Sequence, residues 1–335
     1  MIVLGIETSC DETSAAVVVN GRQVLSNIVS SQIDVHKKFG GVVPEVASRN
    51  HVMAITGVVD EALKTAGITK EEVDLIAVTY GAGLIGALMV GVTFAKTLAK
   101  ALGIPLVKVS HIKGHISAAY LIEDGLKPPF MALVISGGHT AVLDVKSHTA
   151  HKKLIGTADD AIGEVFDKVA RVLGLPYPGG PNIERLAGGE EKENIFNYKL
   201  PAKDAEAFSY SGLKTAVINY INNLVLKNAL TDKAKKEIAA SFQTLACQQV
   251  VFRTVDLCKK RKKNVLVACG GVAANKFLQN MLQAECDKEG IKLIILPTDL
   301  CTDNAAMIAA EGYYLYLDKQ GIAGDELAAT SSVAF

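Results

Sequence analysis

Apolar residues along the chain alternate between short continuous runs and longer stretches with helical spacing. The short runs at 2–6, 15–20 and 24–31 predict three consecutive strands joined by short turns. The segment 44–67 instead places its apolar residues three and four apart, which predicts a helix that begins at Pro44 and stops at Gly67. Strands and helices then alternate towards the C-terminus. This alternation predicts an α/β fold.

A strand, a polar loop and a second strand occur twice in the chain. The first copy is IVLGIETSCDETSAAVVV near the N-terminus, and the second is FMALVISGGHTAVLDV at 130–145. Both loops are rich in small and hydroxylated residues. We interpret the two copies as a weak internal repeat, with one hairpin in each of two lobes. The expected boundary between the lobes is near 104–113.

Composition agrees with two lobes. A chain of 335 residues is longer than one hydrophobic core usually holds, and 49% hydrophobic residues with 21% charged residues are typical of a globular protein. The net charge of zero argues against a globally basic nucleic-acid binder, although it permits a local patch such as CKKRKK at 258–263. The six scattered cysteines contain no C-x-x-C and do not suggest a disulfide framework.

The sequence shows no targeting or membrane signal. The N-terminal segment MIVLGIETSCDET lacks the basic region of a signal peptide. The most apolar stretch, 84–95, falls well short of the roughly 20 residues that a membrane span needs. We therefore expect a soluble cytoplasmic protein with no membrane partner.

The segment HIKGH, His111 to His115, places two imidazoles on one face of a helical turn. Zinc proteases use H-E-x-x-H, whose Glu is the general base, but Ile112 stands at that position here. A metal site would need a third ligand, for which Asp303 is a candidate. Two histidines and one carboxylate are typical of non-haem iron, and zinc accepts the same set. A histidine pair at this spacing more often belongs to packing, and the sequence does not place Asp303 beside it.

Two glycine-containing loops are candidates for binding a nucleotide. SGGHT at 136–140 offers backbone N–H groups to a phosphate, and the alternative is an ordinary tight hairpin. CGGVAAN at 269–275 follows a strand and opens a helix, so Asn275 is either a ligand of an adenine or ribose or part of a helix cap. Asp167 and Glu184 flank a turn that contains Gly179 and Gly180, although helical carboxylates are usually solvated.

These motifs together resemble one family. They are GIETSCDETSAA, GGVVPEVASRNH, HIKGH, SGGHT, FDKVARVLGLPYPGGP, FSYSGLKTA, GGVAAN and CTDNAAMIA. In this order, and from about residue 1 to 316, they resemble the tRNA N6-adenosine threonylcarbamoyltransferase family of the bacterial TsaD type. The resemblance implies the two-lobed actin/Hsp70/sugar-kinase (ASKHA) fold. It also implies a first lobe at 1–110, with 306–335 packing back on it, and a second lobe at 111–305, with the metal and nucleotide sites at the cleft.

The resemblance further implies a reaction and its residues. The substrate would be threonylcarbamoyl-adenylate, and the acceptor would be the adenosine at position 37 of tRNAs that read codons starting with A. The implied partners are tRNA, a paralogue of the same fold (TsaB) and a small ATPase (TsaE). The implied cofactor is one divalent metal ion, Fe(II) in preference to zinc. Metal ligands would be His111, His115 and Asp303, and Asp11 and Glu12 would lie near the metal, where we expect one of them to accept a proton. The implied substrate-binding residues are Val134, Ile135, Ser136, Gly137, Gly138, Asp167, Gly180, Glu184 and Asn275.

Three alternatives remain open from the sequence. A metalloprotease would use the histidine pair, but Ile112 argues against it. A small-molecule kinase of the same fold would need an aspartate base and does not usually carry a His/His/Asp set. A non-catalytic nucleotide-binding scaffold would lack the HIKGH pair.

Overall fold

The computed structural model describes residues 1–202 and 205–333. Positions 203 and 204, which fall in the expected second lobe, and 334 and 335, which end the segment expected to pack on the first, lie outside the described residues. The strands are β1 (Ile2–Glu7), β2 (Glu12–Val19), β3 (Gln23–Ser31), β4 (Leu75–Gly81), β5 (Leu106–Ser110), β6 (Phe130–Ile135), β7 (Thr140–Val145), β8 (His151–Gly156), β9 (Val265–Cys269), β10 (Lys292–Ile295) and β11 (Ile322–Ala323). The helices are α1 (Ile33–His36), α2 (Pro44–Ala66), α3 (Ile85–Leu102), α4 (His111–Ser117), α5 (Ile162–Val172), α6 (Gly179–Ala187), α7 (Ser211–Leu226), α8 (Asp232–Lys260), α9 (Lys276–Lys288), α10 (Thr298–Cys301) and α11 (Ala305–Leu317). Short 3₁₀ turns lie at Lys37–Phe39, Lys70–Glu72, Ala118–Leu121 and Gly271–Ala274.

The strands and helices form where the hydrophobic pattern predicts them. Helix α2 begins with Pro44, whose missing N–H costs nothing in the first turn, and it ends at Gly67 in the left-handed conformation (φ 71°). The three N-terminal runs form β1, β2 and β3, which confirms that prediction.

The first compact unit contains Met1–Pro129, Val145–Lys152 and the chain from Leu296 onwards. Its six-stranded sheet has the order β11-β5-β4-β1-β2-β3, in which β1, β4 and β5 are parallel neighbours and β2 is antiparallel to β1. Helix α11 packs against β1 and β4. The C-terminal helix therefore belongs to the same unit as the N-terminal strands.

The second compact unit contains Phe130–Asp144 and Lys153–Ile295. Its five-stranded sheet has the order β10-β9-β6-β7-β8. Strands β6, β7 and β8 follow one another as β1, β2 and β3 do, and β9 is parallel to β6 as β4 is to β1. The equivalent strand orders confirm the internal repeat that the two polar hairpins predict.

The first unit extends beyond the expected boundary at residue 110. Its first segment runs to Pro129, and the chain returns to this unit at Leu296. The unit therefore includes both histidines of HIKGH and Asp303. The expected boundary followed the change of pattern after β5. The structure divides elsewhere because α4 packs against α11, which lies on the first sheet.

Among the described residues, α3 is the one helix long and apolar enough to cross a membrane. It has 18 residues and a mean hydropathy of 1.5, so the apolar stretch is longer than the 84–95 segment suggested. Its buried residues recur three and four apart, and this one face packs against α2 and β4. The six cysteines are not paired in disulfides within the part of the chain that the structure describes.

Candidate metal centre and anion-binding turn

His111, His115 and Asp303 converge in the first unit. The Nε2 atom of His115 lies 3.2 Å from Nε2 of His111, and Oδ1 of Asp303 lies 3.2 Å from the former and 3.5 Å from the latter. Two ligand atoms about 2.1 Å from one cation lie about 3.0 Å apart in an octahedron and about 3.4 Å apart in a tetrahedron. The three atoms therefore fit one divalent cation, and they leave its other positions open.

Close helix packing creates this convergence. Helix α4 starts at His111, directly after β5, and Gly114 lies between the two histidines. A Cβ atom at Gly114 would approach Cδ1 of Ile308 in α11 to 2.7 Å, so the glycine allows the two helices to come together. Asn304 caps α11 by accepting a hydrogen bond from the Met307 N–H. Asp303 immediately precedes this cap and is thereby held over the histidine pair.

Two buried polar groups contact the other imidazole nitrogen of His111, Nδ1. Glu7 at the end of β1 and Ser9 in the following loop both lie within hydrogen-bond distance of its Nδ1 atom, at 3.2 Å and 3.1 Å. Sequence reasoning included both residues in the GIETSCDET motif but assigned neither a role. No spacing rule could have found them, because β1 and α4 are far apart along the chain.

The charges of this centre call for a cation. Burial by itself lowers the pKa of His111, but Asp303 and Glu7 outweigh it and raise the pKa to about 9. Burial, together with the neighbouring His111, lowers the pKa of His115. Burial would raise the pKa of Glu7, but the charge and hydrogen bond of His111 hold it below its ordinary value. The buried Glu7 and the partly exposed Asp303 thus favour a proton on one imidazole, and a dication would neutralise both negative charges in its place.

Asp11 and Glu12 lie in the loop before β2 and at the start of that strand. Burial raises the pKa of Glu12 to about 10, and the charges of Asp303 and Asp11 add to the effect. Glu12 accepts a hydrogen bond of 3.1 Å from the Ser31 hydroxyl. The repulsion between the carboxyl groups of Glu12 and Asp303 would be offset by a cation bound to Asp303.

The residues 134–138 lie in the second unit. Val134 and Ile135 are fully buried in β6, so only their backbone atoms are available to a ligand. Ser136 donates its N–H to the His139 carbonyl in a tight turn, and Gly137 and Gly138 are exposed. A Cβ atom at either glycine would meet nothing within 4 Å. The turn thus presents bare backbone to open space, which suits an anion.

The carboxylates of Asp167 and Glu184 bind the starts of two helices. Oδ1 of Asp167 accepts the Gly179 N–H at the start of α6 (2.6 Å), and Oε1 of Glu184 accepts the Lys276 N–H at the start of α9 (2.6 Å). These side chains are not simply solvated, as an isolated helical carboxylate would be. They order the starts of α6 and α9, and a Cβ atom at Gly180, in the first turn of α6, would meet nothing within 4 Å.

Asn275 is the N-cap of α9. Its Oδ1 accepts the Leu278 N–H (2.9 Å) and its Nδ2 donates to Oε1 of Gln243 (3.1 Å). The sequence left a cap and a nucleotide ligand equally open, and the structure contains the cap. The nine predicted substrate-binding residues all belong to the second unit, whereas the metal triad, Asp11 and Glu12 belong to the first.

Sequence comparison decides the family. The family model described as "TsaD: tRNA N6-adenosine threonylcarbamoyltransferase" matches residues 23–310. The chain belongs to this family. A protein of Clostridium perfringens named tRNA N6-adenosine threonylcarbamoyltransferase is 51% identical over 317 residues, which are 93% of this chain and 92% of the relative. A Clostridium botulinum protein of the same name is 51% identical over 319 residues, covering 94% and 92%.

Solved structures that resemble this TsaD-family chain show its fold. A HypF protein from T. kodakarensis has a TM-score of 0.64 at 15% identity and covers 95% of this chain and 48% of its own. The ROK hexokinase from Thermus thermophilus has a TM-score of 0.52 at 16% identity and covers 95% and 100%. These likenesses confirm the predicted ASKHA fold, and they carry no argument about activity.

Proposed function

We propose that the chain transfers the threonylcarbamoyl group of threonylcarbamoyl-adenylate to N6 of adenosine 37 in tRNAs that read codons starting with A, with release of AMP. The observation that carries the proposal is the convergence of His111, His115 and Asp303 in a chain of this family. The residues fit a catalytic cation because three protein ligands leave positions open to a substrate.

The proposed cofactor is one divalent metal ion per chain, Fe²⁺ in preference to Zn²⁺. Two imidazoles and one carboxylate are typical of non-haem iron sites, and the short ligand spacing excludes none of the smaller divalent ions. When bound, the cation supplies a Lewis acid that stabilises negative charge developing on an oxygen of the substrate.

The remaining chemistry is assigned to side chains of the first unit. The adenine amine attacks the carbamoyl carbon, the bond between that carbon and the phosphate oxygen breaks, and AMP leaves with the electron pair. The amine must lose one proton. We assign its acceptance to Glu12 or Asp11: a cation bound by Asp303 would offset the repulsion that raises the pKa of Glu12 and so favour the carboxylate form, which can take the proton.

Recognition of the adenylate is assigned to the second unit. The exposed backbone N–H groups of Gly137 and Gly138 are the proposed phosphate ligands, since the turn offers donors without side chains in the way. Asp167, Gly180, Glu184 and Asn275 are the proposed nucleoside ligands. Their support is that the same residues organise the N-termini of α6 and α9.

The proposed partners are tRNA, the paralogue TsaB and the ATPase TsaE, and the proposed location is the cytoplasm, where tRNA is modified. The described surface of the first unit offers a place for a protein partner. Val52 and Met53 on α2 and Ile85 and Met89 on α3 are exposed although apolar, and the two helices pack against each other.

Peptide hydrolysis is not supported by the same site. A zinc peptidase needs a general base after the first histidine. That residue is Ile112, which is 2% exposed and packs in the core.

The test replaces one proposed metal ligand and, as a control, a nearby aspartate that is not a proposed ligand. Asp303→Ala should lose the metal and lower the transfer rate by at least about 100-fold, since a catalytic cation supplies several kcal/mol. The exposed Asp299 of α10 gives a matched control, and Asp299→Ala should keep both properties. Metal content by elemental analysis and transfer to tRNA, with and without each partner, are the measurements. Transfer retained by a metal-free Asp303→Ala protein would refute the mechanism.

A further inference from the structure

The Glu7 carboxyl group is fully buried at the end of β1, where it accepts hydrogen bonds from two neighbouring groups. Its Oε1 accepts the Ser9 N–H at 2.5 Å. Its Oε2 accepts the Thr79 hydroxyl at 2.5 Å and faces Nδ1 of His111 at 3.2 Å. Both oxygens of this carboxyl group already accept hydrogen bonds, so the geometry assigns Glu7 the role of acceptor towards His111 as well. At this contact His111 must therefore be the donor, and its proton must sit on Nδ1.

This placement of the proton determines which nitrogen of His111 can bind a cation. With Nδ1 protonated, the lone pair of a neutral His111 lies on Nε2. That is the atom 3.2 Å from Nε2 of His115 and 3.5 Å from Oδ1 of Asp303. The Ser9 hydroxyl also approaches Nδ1, at 3.1 Å, but it can act as donor or acceptor and imposes neither tautomer.

His115, the second histidine of the triad, has no carboxylate at its Nδ1 atom among the described residues. Nδ1 of His115 is buried and has no hydrogen-bond partner within residues 1–202 and 205–333. The two imidazoles of the triad are therefore unequal. His111 is oriented through Nδ1 by a buried carboxylate, whereas Nδ1 of His115 lacks such a partner among the described residues.

We propose that Glu7 is a positioning residue of the metal centre: by accepting the Nδ1 proton of His111, it aims Nε2 at the cation and strengthens it as a ligand. The inference rests on the proposed metal centre. Carboxylates that orient metal-binding histidines in this way typically change metal affinity by about 10- to 100-fold.

The test compares metal affinity in two variants of buried glutamates. Glu7→Gln keeps the side-chain shape but removes the charge. Glu311→Gln makes the same substitution at another fully buried carboxyl group, which accepts its hydrogen bond from the Ser117 hydroxyl and not from a metal ligand. We expect Co²⁺ and Zn²⁺ affinity, measured by chelator competition, to fall about 10- to 100-fold in Glu7→Gln and to stay unchanged in Glu311→Gln. Ser9→Ala should lose much less affinity than Glu7→Gln.

A second measurement uses the unaltered protein and does not depend on the folding of a variant. In histidine-labelled, Zn²⁺-loaded protein, ¹⁵N NMR should show His111 bound through Nε2 with a slowly exchanging proton on Nδ1. Equal affinity in Glu7→Gln, an equal loss in Ser9→Ala, or metal on Nδ1 would overturn the role of Glu7. If the unaltered protein binds no metal, or His111→Ala binds it equally well, the proposed metal centre itself fails.

Discussion

Glu311 is a carboxyl group enclosed by the packing of α11 in the first unit. Burial raises its pKa to about 7, although the Ser117 hydroxyl and the charge of Lys113 act in the opposite direction. The folded protein therefore holds a proton that the unfolded chain releases above its ordinary pKa of 4.5. The associated stability is complete below pH 4.5, and it is lost as the pH rises through 7.

We expect Glu311→Gln to remove this pH dependence. The amide stays neutral, so the variant should gain up to about 3 kcal/mol over the unaltered protein at pH 8 and little at pH 5. Urea denaturation at several pH values measures it, and the exposed Glu71→Gln is the control. Parallel stability profiles for the Glu311 variant and the unaltered protein would contradict the prediction.

Gly137 offers a probe of the anion-binding turn. A Cβ atom added there meets no atom within 4 Å, so Gly137→Ala should fold normally. If a phosphate lies against this backbone, the methyl group obstructs it, and AMP should bind about tenfold more weakly, a loss of about 1.4 kcal/mol. Calorimetric titration with AMP is the measurement.

Gly57 in α2 provides the matched control for this probe. It has the same open surroundings, and Gly57→Ala should leave AMP binding unchanged. If Gly137→Ala binds AMP as tightly as Gly57→Ala, the phosphate is not held by this turn.

At the scale of secondary structure, the ends of helices carry most of the candidate chemistry. Asp303 precedes α11, His111 starts α4, and Asn275 caps α9. Helix ends leave backbone groups without partners inside the helix, so polar side chains gather there for structural reasons first. A functional role must therefore be separated experimentally from capping.

Asn275 allows that separation. Asn275→Ala removes the cap and should cost about 1 kcal/mol of stability, whereas Asn275→Asp keeps a capping oxygen and should cost much less. If the amide also binds the nucleoside, both variants should lose AMP affinity. Thermal unfolding and AMP titration are measured on the same preparations. AMP affinity preserved in both variants would leave Asn275 with its capping role alone.

At the scale of the whole molecule, the proposed ligands divide between the two compact units. The metal triad belongs to the first and the predicted adenylate-binding residues to the second. Each ligand should therefore protect a different part of the chain from exchange, because binding suppresses local opening near the bound groups.

Hydrogen exchange followed by mass spectrometry tests this division. Addition of Zn²⁺ to metal-free protein should slow exchange in α4 and at the start of α11. Addition of AMP should slow it in the turn 136–138 and in α6 and α9. Asp303→Ala serves as the control for the first effect, since it should abolish protection by Zn²⁺ only. Protection of α6 and α9 by Zn²⁺ alone would argue against the assignment.

Much of the fold follows from local pattern. The helix from Pro44 to Gly67 and the repeated hairpins at β1-β2 and β6-β7 were predictable because hydrophobic spacing, proline and glycine act over a few residues. The unit boundary was not predictable in the same way. It depends on the return of the chain at Leu296 and on the packing of α11 beside β1.

The same distinction between local pattern and tertiary packing applies to the candidate site. The sequence by itself determined the spacing of His111 and His115, the glycine turn at 136–138 and, through its motifs, the family. Only the tertiary structure decided that Asp303 meets the histidine pair, that Glu7 faces His111, and that Asn275 caps a helix. The reason is physical: spacing and turn formation depend on neighbours in the chain, whereas ligand convergence, burial and the pKa shifts it causes depend on contacts between distant segments.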